Sequence, residues 1–252
     1  MKIVCIGSGN VATHMAGEFK KKGHDLIQVW SRNSAHAEVL ASSLASMAMT
    51  DLAEIDLNAD LYLIAIKDNA ISSVVRALGD VNGLVVHTSG ATSIAELDRF
   101  SSHGVLYPLQ TFSKAKAVDF KDIPLCIEAT DADSLDKLRT IAAELSKLVY
   151  EVDSDKREIL HLSAVFACNF VNHMYNLGAQ VLRSHDLDFE MLRPLIMETA
   201  MKVQTEMPVN VQTGPAVRDD EQTILKHLEL LESSPHLKEI YQTLSESIKK
   251  SN

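Results

Sequence analysis

Basic residues are scarce relative to acidic ones in this chain. Over 252 residues, 24 Lys plus Arg stand against 34 Asp plus Glu, so the formal charge is 24 − 34 = −10 with His neutral. That balance repels a phosphate backbone unless the basic residues gather in one patch. The longest basic run is only Lys20-Lys21-Lys22, which reads as the end of a helix. Nucleic acid is therefore not an expected partner. Long apolar runs are also missing: none approaches the roughly 18–20 residues that span a bilayer, and Met1-Lys2 leads straight into a strand-like run with no signal-peptide core. No membrane partner is expected, and the cytoplasm is the expected location. Cysteine is rare, and Cys5, Cys126 and Cys168 lie far apart inside apolar runs, which suits reduced core residues rather than disulfides or a metal site. Ten histidines are present, but none shows H-x-x-x-H or H-x-H spacing, so no metal is expected. With 10 Gly, 6 Pro, 46% hydrophobic and 23% charged residues, the composition is that of a folded protein.

Residues 2–6 (KIVCI) form a short β-branched run that ends in Gly7-Ser8-Gly9, after which Val11, Met15 and Phe19 recur at helical spacing. Further strands are expected at 26–30, 61–66, 84–87, 105–107, 125–128 and 148–152. Helices are expected at 35–45, 70–78 and 134–147. Strands alternating with helices imply a parallel, doubly wound α/β sheet. The pattern changes near Val152. Beyond it only helical periodicity remains, over 155–184, 189–206, 220–233 and 237–250, with breaks at Pro208, Gly214-Pro215 and Ser234-Pro235. The expected organisation is an NAD(P)-binding Rossmann domain over 1–152 and an all-α domain for substrate and dimerisation over 153–252.

Gly7-Ser8-Gly9-Asn10-Val11-Ala12 fits G-x-G-x-x-G/A between a strand and a helix. In that context Gly7 permits the tight turn, Gly9 lets a pyrophosphate approach the backbone, and Ala12 lets the helix pack close. The helix N-terminus then offers N–H groups and a partial positive charge to the phosphates. The tip of the second strand separates NAD from NADP, because an acidic residue there holds the ribose hydroxyls and a basic one holds a 2′-phosphate. Here it reads Trp30-Ser31-Arg32-Asn33-Ser34, and Arg32 with Ser31 favours NADP(H). The alternative is a solvated Arg32 and a helix-capping Ser34. Two more strand tips face the same crevice, one carrying Lys67 and Asp68 and the other Thr88 and Ser89. All four are cofactor-binding candidates, with Asp68 equally readable as a helix N-cap.

The segments 7–12, 31–32, 107–113 (YPLQTFS), 161–172 and 212–219 together resemble a family of Rossmann-like NADP oxidoreductases whose helical C-terminal half is a domain of unknown function. More distantly the layout is similar to pyrroline-5-carboxylate reductase, to the 6-phosphogluconate and β-hydroxyacid dehydrogenases, and to deazaflavin-dependent NADP oxidoreductases. The resemblance implies a dinucleotide-binding domain followed by a 6-phosphogluconate dehydrogenase-like helical domain that dimerises and closes the active site. It implies no substrate. The Lys-x-x-x-Asn pair of the β-hydroxyacid dehydrogenases is absent here, and residues 213–218 (TGPAVR) replace the Ser-Pro-Gly-Gly-Thr-Thr loop of pyrroline-5-carboxylate reductases.

At 100° per residue from His161, Asn172 falls at about 20° and Asn169 at about 80°, so the three share one polar stripe on an otherwise apolar, buried helix. His161 is the acid/base candidate because its unperturbed pKa of about 6.5 suits proton transfer near neutrality, and Asn169 and Asn172 complete the catalytic set. The stripe reads equally well as an interhelical hydrogen-bond network. Tyr107 and Gln110, just past a strand end, are substrate-pocket candidates. Arg218 is another, as a clamp for a carboxylate, or else a surface ion pair with its acidic neighbours. Asp220 with Thr223 reads as a helix cap.

These readings converge on an NADP(H)-dependent oxidoreductase acting on a small carbonyl, imine or hydroxy compound. The alternatives are an NADP-binding sensor without turnover and a reductase of a flavin or deazaflavin.

Overall fold

A computed structural model describes residues 1–251, and the chain divides into two compact units, Met1–Asn169 and Phe170–Asn252. The first unit is built on eight strands: β1 (Lys2–Ile6), β2 (Asp25–Trp30), β3 (Met47–Met49), β4 (Leu61–Ile64), β5 (Leu84–His87), β6 (His103–Pro108), β7 (Leu125–Ala129) and β8 (Val149–Glu151). They lie in the order β3-β2-β1-β4-β5-β6-β7-β8. The order reverses between β1 and β4, so the crevice of a doubly wound sheet opens at their carboxyl ends. The pairs from β3 through β6 are parallel, while β7 runs antiparallel to β6. The parallel, doubly wound sheet expected from the sequence is present, and the β6–β7 pair is its one antiparallel step among the described residues. Residues 109–124 hold a single 3₁₀ turn, Phe120–Asp122, in place of a crossover helix, and a chain without a crossover returns antiparallel.

Alternation along β1 accounts for its continuous apolar run, because Ile3 and Cys5 enter one core cluster while Val4 and Ile6 enter the cluster on the opposite face. Helix α1 (Asn10–Lys21) buries Ala12, Met15, Ala16 and Phe19, a stripe at i, i+3, i+4 and i+7, and ends on Lys20 and Lys21. Each large side chain buried in this way contributes about 1.5–3 kcal/mol. Helices α2 (Ser34–Leu44), α3 (Asp68–Ala77) and α4 (Ala132–Leu145) complete the layers. Asn33 caps α2 by accepting from the His36 N–H, and Lys67 precedes α3 without a side-chain cap, so neither Ser34 nor Asp68 is an N-cap.

From Ser154 onward the described residues form helices joined by turns and short irregular segments, with no strand among them. Helix α5 (Ser154–Ala164) passes into a π-helical segment, Val165–Phe170, and then α6 (Val171–Arg183). Helices α7 (Arg193–Thr205), α8 (Glu221–Leu230) and α9 (Pro235–Ser251) follow, with Asp220 capping α8 through Thr223. Among the described residues no helix is long and apolar enough to cross a membrane. Cys5 and Cys126 are buried as expected, but Cys168 is exposed, because the π-helical segment that carries it has no buried residue.

His87 ends β5 with no exposure, and its Nδ1 accepts the Ser89 N–H at 3.2 Å. Burial, aided by the nearby Arg157 guanidinium, pushes its pKa down to about 4. The unfolded chain, with a value near 6.5, takes up the proton first as pH falls. This contribution is therefore intact above about pH 6.5 and is lost progressively toward pH 4, at about 2 kcal/mol between pH 7 and pH 5. Urea unfolding at those two pH values should show that loss in the wild type and a smaller one in His87→Asn. Equal losses in both proteins would remove His87 as the cause.

Candidate functional site

The turn after β1 is set by two glycines with different tasks. Gly7 sits at φ +133°, and a Cβ on it would lie 2.1 Å from the Ala65 carbonyl oxygen. Only glycine brings the turn that close to the end of β4. Gly9 has nothing within 4 Å of a Cβ position, and it precedes α1 without offering a side-chain cap. Gly9, Asn10 and Val11 at the start of α1 line open space, and an uncapped helix start of this kind is a cradle suited to an anion such as a phosphate. Ser8 Oγ donates to Ser31 Oγ at 2.9 Å, tying this turn to the tip of β2.

One cavity of about 730 Å³ runs through the first unit past these tips. Arg32 and His36 stand at one end, beside Ser31. The glycine turn contributes Gly7, Ser8, Gly9, Asn10 and Val11, and the next two tips contribute Lys67 and Asp68, then Thr88 and Ser89. The far end is formed by Gly90, Tyr107, Pro108, Gln110 and His161. The cavity thus gathers every residue expected to hold the cofactor, together with three of the six expected to act on substrate. Asn169, Asn172 and Arg218 are not among its lining residues; Asn172 and Arg218 belong to the second unit. His36 was missed by sequence reasoning, although its position four residues after Arg32, in the first turn of α2, was a usable signal. The guanidinium of Arg32 and the imidazole of His36 give that end of the cavity donors suited to a phosphate.

At the opposite end the Tyr107 hydroxyl and His161 Nδ1 are hydrogen-bonded at 3.0 Å, with their rings edge to face. Gly90 backs directly onto this pair: a Cβ there would lie 2.7 Å from His161 Nδ1 and 2.8 Å from Tyr107 Cζ. Burial pushes the Tyr107 phenol up to about 12, so it stays protonated across the physiological range. His161 Nε2 makes no hydrogen bond among the described residues and is left for a ligand. Two expectations about the helix that carries His161 are corrected. The π-helical turn Val165–Phe170 breaks the 100° periodicity that set Asn169 and Asn172 on the His161 face. The helix is also not nearly all buried, since Ile159 and Leu162 are exposed in the single chain.

Residues 2–89 match a family model described as NADP oxidoreductase, coenzyme F420-dependent, and residues 123–248 match a domain of unknown function numbered 2520. An assigned NADP oxidoreductase from Bacteroides fragilis is 42% identical, with 99% of this chain and 98% of that one covered at a TM-score of 0.92. The chain belongs to this family, NADP-dependent oxidoreductases that join a Rossmann-type half to that C-terminal domain. Two more distant structures share its fold. An imine reductase from Myxococcus stipitatus in complex with NADP+ is 16% identical over 99% of this chain and 92% of that one, with a TM-score of 0.66. A 1-pyrroline-5-carboxylate reductase from Streptococcus pyogenes is 16% identical over 99% and 98%, with a TM-score of 0.64. No curated protein sequence matches the chain.

The two glycines should separate cleanly on substitution. Gly9→Val should fold with wild-type thermal stability yet lose NADPH binding in a fluorescence titration, whereas Gly7→Ala should destabilise the fold itself. Tight NADPH binding by folded Gly9→Val would refute the cradle. Arg32→Glu should cut the preference for NADPH over NADH by about tenfold or more, since a charge-assisted hydrogen bond is worth roughly 1.5–3 kcal/mol. An unchanged ratio would take Arg32 out of the phosphate site.

Proposed function

We propose that this NADP-dependent oxidoreductase exchanges a hydride with a small carbonyl, imine or hydroxy compound held at the Tyr107–His161 end of the cavity. The observation that carries the reading is the single cavity joining an uncapped glycine turn to a hydrogen-bonded Tyr–His pair. The glycine turn and Arg32 hold the phosphates, and Lys67, Asp68, Thr88 and Ser89 line the path toward the reacting end. Bound NADPH supplies the hydride. His161 gives or takes the accompanying proton at Nε2, while the Tyr107 hydroxyl engages Nδ1 and fixes the ring. Gln110 and Pro108 bound the space left for substrate. No step is assigned to Asn169, Asn172 or Arg218. The imine reductase and the pyrroline-5-carboxylate reductase of like fold support a C=N or C=O substrate. Coenzyme F420 enters only through a family description matched over residues 2–89, outside the segment that carries Tyr107 and His161.

The same reading takes the active form to be a homodimer in the cytoplasm. Helix α7 has no buried residue in the single chain although it carries Leu195, Met197, Met201 and Val203, and a second copy of the chain is the natural cover for such apolar area. Three free thiols suit a reducing compartment.

The test begins with NADPH and NADH titrations and continues with a screen of carbonyls, imines and hydroxy compounds. On the substrate found, His161→Ala should lower kcat by about 10²–10⁴, the usual worth of a positioned acid or base, with little change in NADPH affinity. Tyr107→Phe should give a smaller loss in the same direction. Wild-type turnover by His161→Ala would end the proton-transfer assignment. Sedimentation should show a dimer, and substitution of Met197 and Met201 by Glu should yield monomers.

A further inference from the structure

Arg157 stands one helical turn before His161 on α5, and it heads the fully buried side chains by volume at 1% exposure. A guanidinium removed from water in this way must be held by partners. Its Nη1 forms an ion pair with Glu128 on β7. Its Nη2 donates to the Thr92 carbonyl oxygen at 2.5 Å and to Ser154 Oγ at 3.1 Å. Ser154 Oγ in turn donates to Glu128 Oε2 at 2.9 Å and accepts the Ile94 N–H at 3.0 Å. One planar fork thereby gathers a strand, the loop after β5 and the start of α5.

That loop is also the floor of the site. Ser89 Oγ accepts the N–H groups of Ala91 at 3.2 Å and Thr92 at 3.0 Å, so the Thr92 carbonyl held by Arg157 is rigidly connected to Ser89 and Gly90. Gly90 in turn leaves no room for a Cβ against the two rings of the Tyr107–His161 pair. His161 is thus fixed from two directions, through the helix it shares with Arg157 and through the loop Arg157 holds. We propose that Arg157 is a positioning residue, whose buried bridge to Glu128 and Thr92 sets the separation of α5 and the 88–92 loop and so holds His161 Nδ1 against the Tyr107 hydroxyl. The inference rests on the reading of His161 as the proton-transfer group.

A buried ion pair is often no more stabilising than apolar side chains of similar volume, so stability alone does not call for an arginine here. Geometry does. The fork delivers two directed donors to an oxygen on β7 and an oxygen on the loop, which neither a lysine nor an apolar residue can reproduce.

The experiment uses the full chain with labelled histidine and tyrosine in Arg157→Met, Arg157→Lys and Glu128→Gln, alongside the wild type. Three quantities are read: the nuclear Overhauser contact between the Tyr107 and His161 rings, the NADPH dissociation constant, and kcat with KM on the substrate found. Arg157→Met should bind NADPH as the wild type does, lose the ring contact, and lose about 100-fold in kcat, the scale set by a misplacement of about 1 Å. Arg157→Lys and Glu128→Gln should fall between. If Arg157→Met does not fold, the other two variants decide. Retention of the ring contact and of wild-type kcat in folded variants would overturn the proposal and leave Arg157 a structural residue. Failure of the functional reading is separately visible, because wild-type turnover by His161→Ala leaves the ring-contact measurement standing.

Discussion

The site depends on how closely the backbone after β1 approaches the end of β4. Ala65 O lies where any side chain at position 7 would begin, and the Gly7 N–H is spent on the Trp30 carbonyl at 2.8 Å. The turn is therefore pinned between the strands on either side of β1. Because it is pinned, α1 starts at the carboxyl end of the central strands with its unpaired N–H groups beside the crevice, and Ala12 can disappear into the core beneath. A larger residue at position 7 would push the helix start outward and dissolve the cradle together with the packing under it. Binding and folding are coupled at this point by a single excluded volume.

A second close approach, at Gly90, governs the chemical end. There the neighbours are side chains, Tyr107 and His161, which come from β6 and α5 and are 54 residues apart in sequence. Leu160 packs α5 against Val105, Tyr107 and Cys126, and the buried Arg157, with the half-buried Glu128 and Ser154, adds a directed polar connection to the loop. The first unit thus uses apolar burial to build the glycine turn and adds a directed polar bridge beside the hydrogen-bonded Tyr107–His161 pair, which the proposal above reads as the proton-transfer group. The difference is physical: a phosphate tolerates small displacements among several N–H donors, whereas a proton moves only along a well-aligned contact.

What could be read from the sequence follows the same division. The glycine turn, the Arg32 tip and the tips at Lys67 and Thr88 were legible because each lies within a few contiguous residues at a strand end, where chain order fixes place. β3 was not, since Met47-Ala48-Met49 has neither the length nor the β-branching of a strand and forms by pairing with β2. The antiparallel β7 went unseen because direction is decided by what the connecting segment lacks. Arg157, in the run Asp155-Lys156-Arg157-Glu158, reads as one more solvated charge; its burial arises from Glu128 and Thr92, which local sequence does not bring near. The π-helical turn at Val165–Phe170 depends on hydrogen-bond register, to which hydropathy is blind, and it undid an angular argument that was sound for a regular helix.

The two units also differ in how they satisfy their apolar residues. Along β1 and β4 every apolar side chain is buried by the layers of the same chain, whereas α7 buries none of its own and exposes Leu195 and Met197. A helix with that composition and no covered face gains little over the unfolded chain from its own packing. Helix propensity alone, at tenths of a kcal/mol per residue, is a weak substitute over a segment of this length. In the homodimer proposed above a second copy would cover α7, so that assembly and folding of the helical unit would be one equilibrium, with a stability that depends on protein concentration in a way that the strand core does not.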